Sequence, residues 1–362
     1  MHKLTREEAR RIAVRAQLLD AARPDGLLDL VYGLTLLQAD PTAAVAPSAH
    51  LVCWARLGSA YSPADLTAAL ADRTLLELRG MIRPAEDIAL YRAEMAAWPG
   101  GRDKWQVQLR DWVRANDACR RDILARLDAG GPLSIKELPD TCAVPWKSSG
   151  WNNNRNLDRL LDLMVQRGEV ALAGRRRGDR LWDLADRVYP DVPAVPLEEA
   201  LRRRDERRLA SLGLARAKAQ ETPIEPLGVG AAGEEATIEG VRGKWRVDPA
   251  QLDQPFEGRV ALLSPLDRLV FDRKRMTDLF GFDYQLEMYK PVDRRRWGYW
   301  ALPILAGDQL VGKVDATADR KAGVLRVDAI HEDVAFDEAT VGAELAELAD
   351  WLGLEPVGSI AA

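Results

Sequence analysis

Residues 156–184 read NLDRLLDLMVQRGEVALAGRRRGDRLWDL, and the fold can be predicted most directly from this stretch. Its first half places apolar residues at the i, i+3, i+4, i+7, i+8 spacing of a core-facing helix: Leu157, Leu160, Leu161, Met164 and Val165. We expect that helix to end at Gly168. Two short strands, residues 170–173 and 181–184, are then predicted around a basic turn at 174–180. A helix followed by such a hairpin is typical of a winged helix.

The residues before this stretch supply the other helices of a helix-turn-helix. One predicted helix carries apolar residues on a single face: Ile123, Leu124 and Leu127. Gly131 follows the end of that helix, and a short second helix is predicted at residues 135–138. A loop containing Lys147 leads into the helix already described. Residues 116–190 are therefore predicted to form a winged helix.

Three further segments complete an expected α+β fold. Residues 1–115 show the order helix, helix, helix, strand of a first winged helix, and they open with a Thr5/Glu8 capping box. Residues 191–255 predict a third, degraded winged helix. Residues 256–362 predict a small antiparallel β-barrel or meander and a C-terminal helix. The fold class expected is tandem winged helices followed by a β-rich region.

Length and composition limit the class of protein. The chain has 362 residues, a length that favours several domains. Hydrophobic residues make up 47% of it and charged residues 30%, which is the composition of a globular protein. No stretch approaches the ~20 apolar residues of a membrane span, and the first residues are charged where a signal peptide is apolar. We expect a cytoplasmic, nucleoid-associated protein.

The sequence lacks the usual motifs of nucleotide-binding, hydrolase and metal sites. The chain contains no GxxxxGK[ST], GxSxG or EF-hand pattern. Its three cysteines, Cys53, Cys119 and Cys142, are far apart and without CxxC spacing, which favours buried thiols over disulfides or a zinc knuckle. Its three histidines are not paired at the spacing of a helical metal site. We therefore expect no metal site.

Basic residues cluster where a winged helix meets DNA phosphates. The loop, the second long helix and the wing supply Lys147, Arg155, Arg159, Arg175, Arg176, Arg177 and Arg180, and a later run supplies Arg273, Lys274 and Arg275. Cations beside phosphates release counterions and give sequence-independent affinity. A solvated arginine turn, or a winged helix that contacts a protein, would show the same pattern. Duplex DNA is the expected partner.

The acidic residues are concentrated at the end of the chain. The formal net charge is −5, yet the last 32 residues hold eight Asp and Glu and no Lys or Arg, so the remainder is slightly basic. The segment 332–355 also carries apolar residues at helical spacing: Val341, Leu345, Leu348 and Leu352. We expect it to pack on the β-rich region and to lie away from DNA, because its charge repels phosphate.

A short motif lies in residues 34–57, LTLLQADPTAAVAPSAHLVCWARL. Gln38-Ala39-Asp40, followed by Trp54-Ala55-Arg56-Leu57, resembles the Gln-hydrophobic-Asp signature of the bacterial winged-helix DNA glycosylases, the AlkZ/YcaQ family. Residues 262–289 and 297–325 are similar to the carboxy-terminal region of that family. The resemblance extends over nearly the whole chain.

This resemblance implies a monofunctional glycosylase of base excision repair that excises N7-alkylated purines and some interstrand crosslinks without a cofactor. Its motif assigns catalysis to Gln38 and Asp40. Because an N7-alkylated guanine is already cationic, it leaves without a general acid, and a single carboxylate suffices. Asp40 would then stabilise the oxocarbenium-like sugar and orient the attacking water, while Gln38 would hold that water or the sugar.

Other interpretations of the motif stay open. Asp40-Pro41 is also the pattern of a helix N-cap with proline at the first helical position, and Gln38 could satisfy backbone groups at a helix end. The alternative to an enzyme is a non-catalytic winged-helix DNA-binding protein, either a regulator or a lesion-recognition relative.

Two positions depart from the family pattern. Ala39 stands where this branch often has a larger branched residue, and residues 78–81 lack its aromatic and histidine. No sustained heptad is present, so we expect a monomer.

Overall fold

Helices and strands are interspersed along the whole chain in a computed structural model, which shows a mixed α+β protein. The structure describes residues 1–101, 103–148, 153–220, 222 and 225–359.

The helices are α1 (Arg6–Ala16), α2 (Leu27–Leu34), α3 (Ser48–Leu57), α4 (Pro63–Ala71), α5 (Ala89–Ala96), α6 (Lys104–Ala115), α7 (Asp117–Gly130), α8 (Asn156–Gln166), α9 (Ala185–Val188), α10 (Leu197–Leu212), α11 (Arg268–Phe271), α12 (Arg273–Phe280) and α13 (Glu338–Leu352). The strands are β1 (His2–Leu4), β2 (Leu37–Gln38), β3 (Leu75–Leu78), β4 (Met81–Pro84), β5 (Leu133–Ser134), β6 (Val170–Arg176), β7 (Asp179–Leu184), β8 (Leu214–Ala215), β9 (Glu234–Ile238), β10 (Val241–Val247), β11 (Val260–Leu262), β12 (Leu302–Ala306), β13 (Gln309–Asp319), β14 (Val324–Glu332) and β15 (Glu355–Gly358).

The chain divides into two units. Unit 1 comprises Met1–Leu66 and Asp205–Ala362, and unit 2 comprises Thr67–Arg204. Their boundaries fall inside the predicted domains 1–115 and 191–255. The division into four domains therefore stays a prediction from the sequence.

In unit 2, α8 and the hairpin after it are the elements that the sequence predicts. Helix α8 buries most of the predicted apolar stripe: Leu160, Leu161, Met164 and Val165. Strands β6 and β7 pair antiparallel, and β7 also pairs with β5. Arg177 (φ 53°) and Gly178 (φ 87°) form the turn, and a positive φ at both positions gives the turn a twist that matches the strands. The predicted helix and hairpin are confirmed, but the strands extend to Arg176 and Asp179, so the turn is shorter than the predicted residues 174–180. Their arrangement as a winged helix stays a prediction.

The helix predicted at residues 135–138 is a single 3-10 turn, Ile135–Glu137. It begins with a capping box in which the backbone N–H and the hydroxyl of Ser134 both donate to Glu137 at 2.8 Å. Leu138 already has extended backbone angles and is buried in the core of unit 2, so the helix cannot continue.

A second hairpin stands where the order helix, helix, helix, strand predicts a single strand in residues 1–115. Strands β3 and β4 pair antiparallel, with Leu78 opposite Met81. Arg79 (φ 53°) and Gly80 (φ 76°) form the turn between them. All of the apolar residues of both strands are buried, so each face of the hairpin contributes to packing.

In unit 1, the first residues of the chain join a sheet formed far along the sequence. The strand order is β1-β9-β10-β8, and β1 runs parallel to β9 with His2 opposite Ala236. The predicted Thr5/Glu8 capping box at the start of α1 is confirmed, since the N–H of Glu8 donates to Thr5 Oγ1 at 3.1 Å. The strands expected in residues 191–255 are present, but they share this sheet with β1.

The carboxy-terminal strands of unit 1 form a five-stranded sheet in the order β11-β12-β13-β14-β15. The first four strands are antiparallel neighbours in chain order, which confirms the meander, and β15 pairs parallel to β14. Helix α13 packs against β11 and β15. Its buried side chains include most of the predicted stripe: Val341, Leu345 and Leu348. The acidic segment is therefore held to the β-rich region, as its apolar spacing predicts.

Residues 268–280 form two consecutive helices, α11 and α12. Asp272 separates them with ψ 95°, and its Oδ1 accepts the N–H of Arg275 at 3.0 Å. Asp267 caps α11 in the same way, through the N–H of Leu269 at 2.9 Å. Each carboxylate stabilises a new helix start, so the chain begins a second helix at Arg273.

None of the helices in the described ranges combines the length and the apolar character needed to cross a membrane.

Candidate active site and DNA-contact residues

The Gln38-Ala39-Asp40 motif lies at the end of β2 in unit 1. Helix α2 ends three residues before β2, at Leu34, because Thr35 adopts a left-handed conformation with φ 66°. Gln38 is the last residue of β2, and Asp40 lies two residues beyond it. The side chains of both residues are half-buried, whereas Leu37 is buried. The motif thus lies at the border between the core and solvent.

Asp40 does not cap a helix, and that interpretation of Asp40-Pro41 was wrong. The next helix, α3, begins only at Ser48. Asp40 instead stabilises a local turn, in which its Oδ1 accepts the N–H of Thr42 at 2.8 Å. Within the described residues, no donor contacts the other carboxylate oxygen. One oxygen fixes the orientation of the carboxylate, and the second remains free to act on a ligand.

Gln38 is likewise free to act on a ligand. Within the part of the chain that the structure describes, its side-chain amide makes no hydrogen bond. The interpretation that Gln38 satisfies backbone groups at a helix end therefore finds no contact to support it.

Unit 1 anchors the motif segment on both sides. Before the motif, the guanidinium of Arg268 donates to Leu34 O at 3.1 Å and to Thr35 Oγ1 at 3.0 Å. After the motif, the N–H of Ala318 on β13 donates to Ala44 O at 2.8 Å. The segment that carries Gln38 and Asp40 is therefore fixed by contacts to residues more than 200 positions away.

Arg268 is itself positioned by a buried ion pair. The preceding residue, Asp267, forms a two-point contact with Arg56, at 2.6 and 3.1 Å, and both side chains are fully buried. Arg56 also donates to Gln17 O at 2.8 Å. Arg56 belongs to the Trp54-Ala55-Arg56-Leu57 run that contributes to the family resemblance. Its role here is to hold α3 and α11 together.

Sequence reasoning missed Arg268, although it singled out the basic run that begins five residues later. Nothing in the local pattern distinguishes Arg268 from the arginines near it. Its partners, Leu34 and Thr35, are distant in sequence, and only the fold brings them together.

The glycine-rich run GVGAAG at residues 228–233 has the GxGxxG spelling of a dinucleotide-binding loop. That motif requires a strand before it and a helix after it, whereas this run leads into the strand β9. A Cβ on Gly233 would lie 2.2 Å from a methyl carbon of Leu209 and 2.3 Å from Val247 O. The glycine permits close packing, and the run carries no sign of a nucleotide site.

The cations predicted on the loop and on α8 differ in exposure. Lys147 and Arg155 are exposed, and Arg155 immediately precedes α8. Arg159, by contrast, is not exposed, as a contact to DNA phosphate would require. It is half-buried, its guanidinium lies 4.6 Å from the ring centre of Trp146, and burial lowers its pKa. Arg159 supports the loop, and Lys147 and Arg155 stay candidates for phosphate contact.

The wing cations fall into paired and unpaired groups. Arg175 contacts Glu77 at 2.8 Å, and Arg176 contacts Glu137. Arg177, at the tip, and Arg180 are exposed, and neither forms an ion pair with another described residue. An unpaired exposed cation meets phosphate without first leaving a carboxylate. Arg177 and Arg180 are therefore the stronger candidates.

The Arg273-Lys274-Arg275 run is mostly structural, contrary to expectation. Arg275 is buried and donates to Leu214 O at 2.8 Å and to Leu212 O at 2.7 Å, and burial lowers its pKa to about 10. Arg273 is half-buried with its guanidinium 4.6 Å from the ring centre of Tyr284. Lys274 alone is exposed. DNA contact by Arg275 is excluded by its burial among backbone acceptors.

Comparison with known proteins identifies both the fold and the family of this chain. The structure is similar to that of the DNA glycosylase AlkZ from Streptomyces sahachiroi, with a TM-score of 0.64, 16% sequence identity and 98% of each chain covered. At that identity the similarity establishes the shared fold. A family model described as DNA glycosylase AlkZ-like matches residues 31–351, which include the motif and both anchoring segments. Since that match spans almost the entire sequence, the chain belongs to the AlkZ-like DNA glycosylase family.

Proposed function

We propose that this protein is a monofunctional DNA glycosylase that hydrolyses the N-glycosidic bond of N7-alkylated purines in duplex DNA. Gln38 and Asp40 are the proposed catalytic residues. The observation that carries the proposal is the geometry of Asp40, whose carboxylate is oriented by Thr42 through one oxygen while the other oxygen has no partner among the described residues.

The chemistry needs few groups because the leaving base is activated before it binds. Alkylation at N7 gives the purine a positive charge, so the base departs as a neutral molecule without protonation. Ordinary glycosidases need a general acid because their leaving group would otherwise depart as an anion, and they use a second carboxylate as base or nucleophile. Here a single carboxylate next to C1′ stabilises the positive sugar of the transition state and accepts a proton from the attacking water.

Gln38 supplies the second role. A carboxamide both donates and accepts hydrogen bonds, so it can hold a water or a sugar hydroxyl in one orientation. A firmly positioned site reduces the entropy cost of bringing water to the sugar. The anchoring by Arg268 before the motif and by Ala318 after it supports this role. No cofactor takes part in the proposed reaction.

The proposed activity is tested with a duplex that carries one N7-methylguanine. The protein is incubated with the duplex, the sites that have lost a base are cleaved with alkali, and the products are resolved on a denaturing gel. We expect cleavage at the modified position and none in the unmodified duplex. Binding without base release would refute the proposed catalysis and leave a non-catalytic DNA-binding protein.

Asp40→Asn tests the role of the charge. Asparagine can still accept the N–H of Thr42, so the turn is kept while the charge is lost. We expect the rate of base release to fall at least about 100-fold, the lower end for loss of a positioned acid or base, with DNA affinity unchanged within a few-fold. Gln38→Ala should slow release less, because the charge remains.

Asp72 provides a matched control. Its Oδ1 accepts the N–H of Thr74 at 2.9 Å, the same side-chain contact to the second following residue as at Asp40, but it is exposed and lies in unit 2. Asp72→Asn should leave base release unchanged. Equal losses in the two variants would show that the effect is not specific to Asp40 and would contradict its catalytic role.

A further inference from the structure

Two of the three cysteines meet in unit 2, although the sequence separates them widely. Cys119 lies in the first turn of α7 and is buried, and Cys142 lies in the segment between Ile135–Glu137 and α8 and is half-buried. The carboxylate of Asp140 joins them. The two sulfurs and one oxygen of Asp140 all lie within 4.8 Å of one another. No other group of three such ligands occurs among the residues that the structure describes.

These separations are close to those of a metal site. Zinc binds thiolate sulfur at about 2.3 Å and carboxylate oxygen at about 2.0–2.2 Å with tetrahedral geometry, which places neighbouring ligand atoms roughly 3.5–3.8 Å apart. Side-chain adjustments of about 1 Å would bring the three groups to those distances. Two thiolates favour a soft or borderline cation, and the carboxylate favours Zn²⁺ over Cu⁺.

The carboxylate of Asp140 is already oriented by its neighbours. Its Oδ1 accepts the N–H of Cys142 at 3.1 Å, and its Oδ2 accepts from Asn156 Nδ2 at 2.8 Å. Asn156 in turn accepts the N–H of Trp146 at 2.7 Å. Ligating carboxylates in metal sites are commonly held by such outer hydrogen bonds. Each oxygen keeps a lone pair for a cation.

The backbone around the three residues is held without any cation. Asn116 accepts the N–H of Val144 at 2.9 Å and donates to Val144 O at 3.1 Å. The indole N–H of Trp112 donates to the same carbonyl at 3.1 Å. These contacts attach the segment after Cys142 to the start of α7, so the cysteines are brought together before any ligand binds.

We propose that Cys119, Asp140 and Cys142 form a binding site for one Zn²⁺ ion, with the fourth position taken by water. The bound ion joins the start of α7 to the segment that carries Trp146 and Lys147. This site is independent of the proposed glycosylase chemistry, and it uses none of the residues assigned to that reaction.

The test uses the full-length protein, reduced and then freed of metal and reductant. Calorimetric titration with zinc chloride should give one site per chain. Titration with Co²⁺ should give the near-ultraviolet charge-transfer absorption of a thiolate-bound metal. Zinc should also protect the half-buried thiol of Cys142 from alkylation, as read by peptide mass spectrometry. Zinc binding without protection of Cys142 would overturn the proposal.

Substitutions assign the ligands. Cys142→Ala and Cys119→Ala should each lower the zinc affinity more than roughly 100-fold, the most that loss of an outer hydrogen-bond partner usually costs. Cys53→Ala is the control, because Cys53 is a buried thiol in unit 1, outside the cluster. Metal-free thermal melting checks that each variant folds, and half-buried Cys142 carries the test if Cys119→Ala does not.

Two results would refute the site. One is zinc affinity that is unchanged in Cys142→Ala. The other is a reduced protein that binds no zinc but loses two mass units on air oxidation, which would identify the pair as a disulfide-forming dithiol.

Discussion

Replacing Asp267 by alanine should destabilise unit 1 more than an ordinary core substitution. Asp267 and Arg56 are both fully buried and contact each other at 2.6 and 3.1 Å. Removing the carboxylate leaves the arginine charge buried with only backbone carbonyls, those of Gln17 and Val52, to receive its N–H groups. A buried charge without a counter-charge is costly because it has lost its hydration.

The size of the effect follows from two separate losses. Breaking a buried ion pair from one side costs about 3–5 kcal/mol, and losing an N-cap costs about 1 kcal/mol. Asp267 makes both contacts, because it pairs with Arg56 and its Oδ1 also accepts the N–H of Leu269 at the start of α11. We therefore expect Asp267→Ala to lower the free energy of unfolding by about 4–6 kcal/mol.

Two further variants separate these losses. Asp267→Asn keeps an acceptor for Leu269 and should lose only the ion-pair part, about 3–5 kcal/mol. The double variant Arg56→Met/Asp267→Ala removes the stranded charge and should be more stable than Asp267→Ala by about 3 kcal/mol.

Urea unfolding followed by far-ultraviolet circular dichroism measures these differences. A loss below about 1 kcal/mol in Asp267→Ala would refute the reasoning, because that is the range of an exposed pair. A double variant no more stable than Asp267→Ala would refute it as well.

Three other predictions concern the wing, a half-buried acid and the last helix. Arg177→Ala should reduce the slope of log K against log salt for duplex binding by up to about 0.9. Arg175→Ala should change this slope less, because Arg175 is already paired with Glu77. Equal salt slopes in wild type and Arg177→Ala would place the wing tip off the DNA. Burial raises the pKa of Glu344 from 4.5 to about 7, so this group reduces stability as pH rises from about 4.5 to about 7. Glu344→Gln should therefore melt at a higher temperature than wild type at pH 8, and this difference in melting temperature should close toward pH 4.5. A difference that does not depend on pH would contradict this assignment. Truncation before Asp337 should give partly unfolded protein, since it uncovers the face of β11 on which α13 packs; an unchanged melting temperature with tighter DNA binding would instead identify the acidic segment as an autoinhibitory mimic of DNA.

The elements predicted correctly from the sequence are those determined by neighbouring residues. The apolar stripe of α8 requires only a helix with one covered face. The hairpin after it was also predicted, although its turn is Arg177-Gly178 and not the longer stretch 174–180. The Thr5/Glu8 capping box depends on residues three positions apart. In these cases the information lies within one or two turns of chain, and tertiary packing does not oppose it.

The errors arise where distant residues decide the structure. Strand β1 exists because β9, more than 200 residues later, offers it a partner. Arg275 looks like its exposed neighbour Lys274 in the sequence, but it is buried because α12 turns it toward the carbonyls of Leu212 and Leu214. The pairing of Cys119 with Cys142 has the same origin. Spacing rules detect local ligand sets and miss sets that the fold assembles.

The candidate site shows the same division between local and distant causes. Asp40 and Asp72 each accept the N–H of the threonine two residues later, with Oδ1 to N distances of 2.8 and 2.9 Å. This contact alone therefore cannot explain why one aspartate would act on DNA and the other would not. The difference is that Asp40 is half-buried beside an unpartnered Gln38, on a segment that Arg268 and β13 hold from far along the chain. If that setting makes Asp40 reactive, loosening it should slow base release even with Gln38 and Asp40 intact. Arg268→Met keeps an unbranched side chain but removes the contacts to Leu34 and Thr35, together with one to Ser211 Oγ at 3.3 Å. Base release at the wild-type rate in that variant would show that the motif acts without the Arg268 anchor.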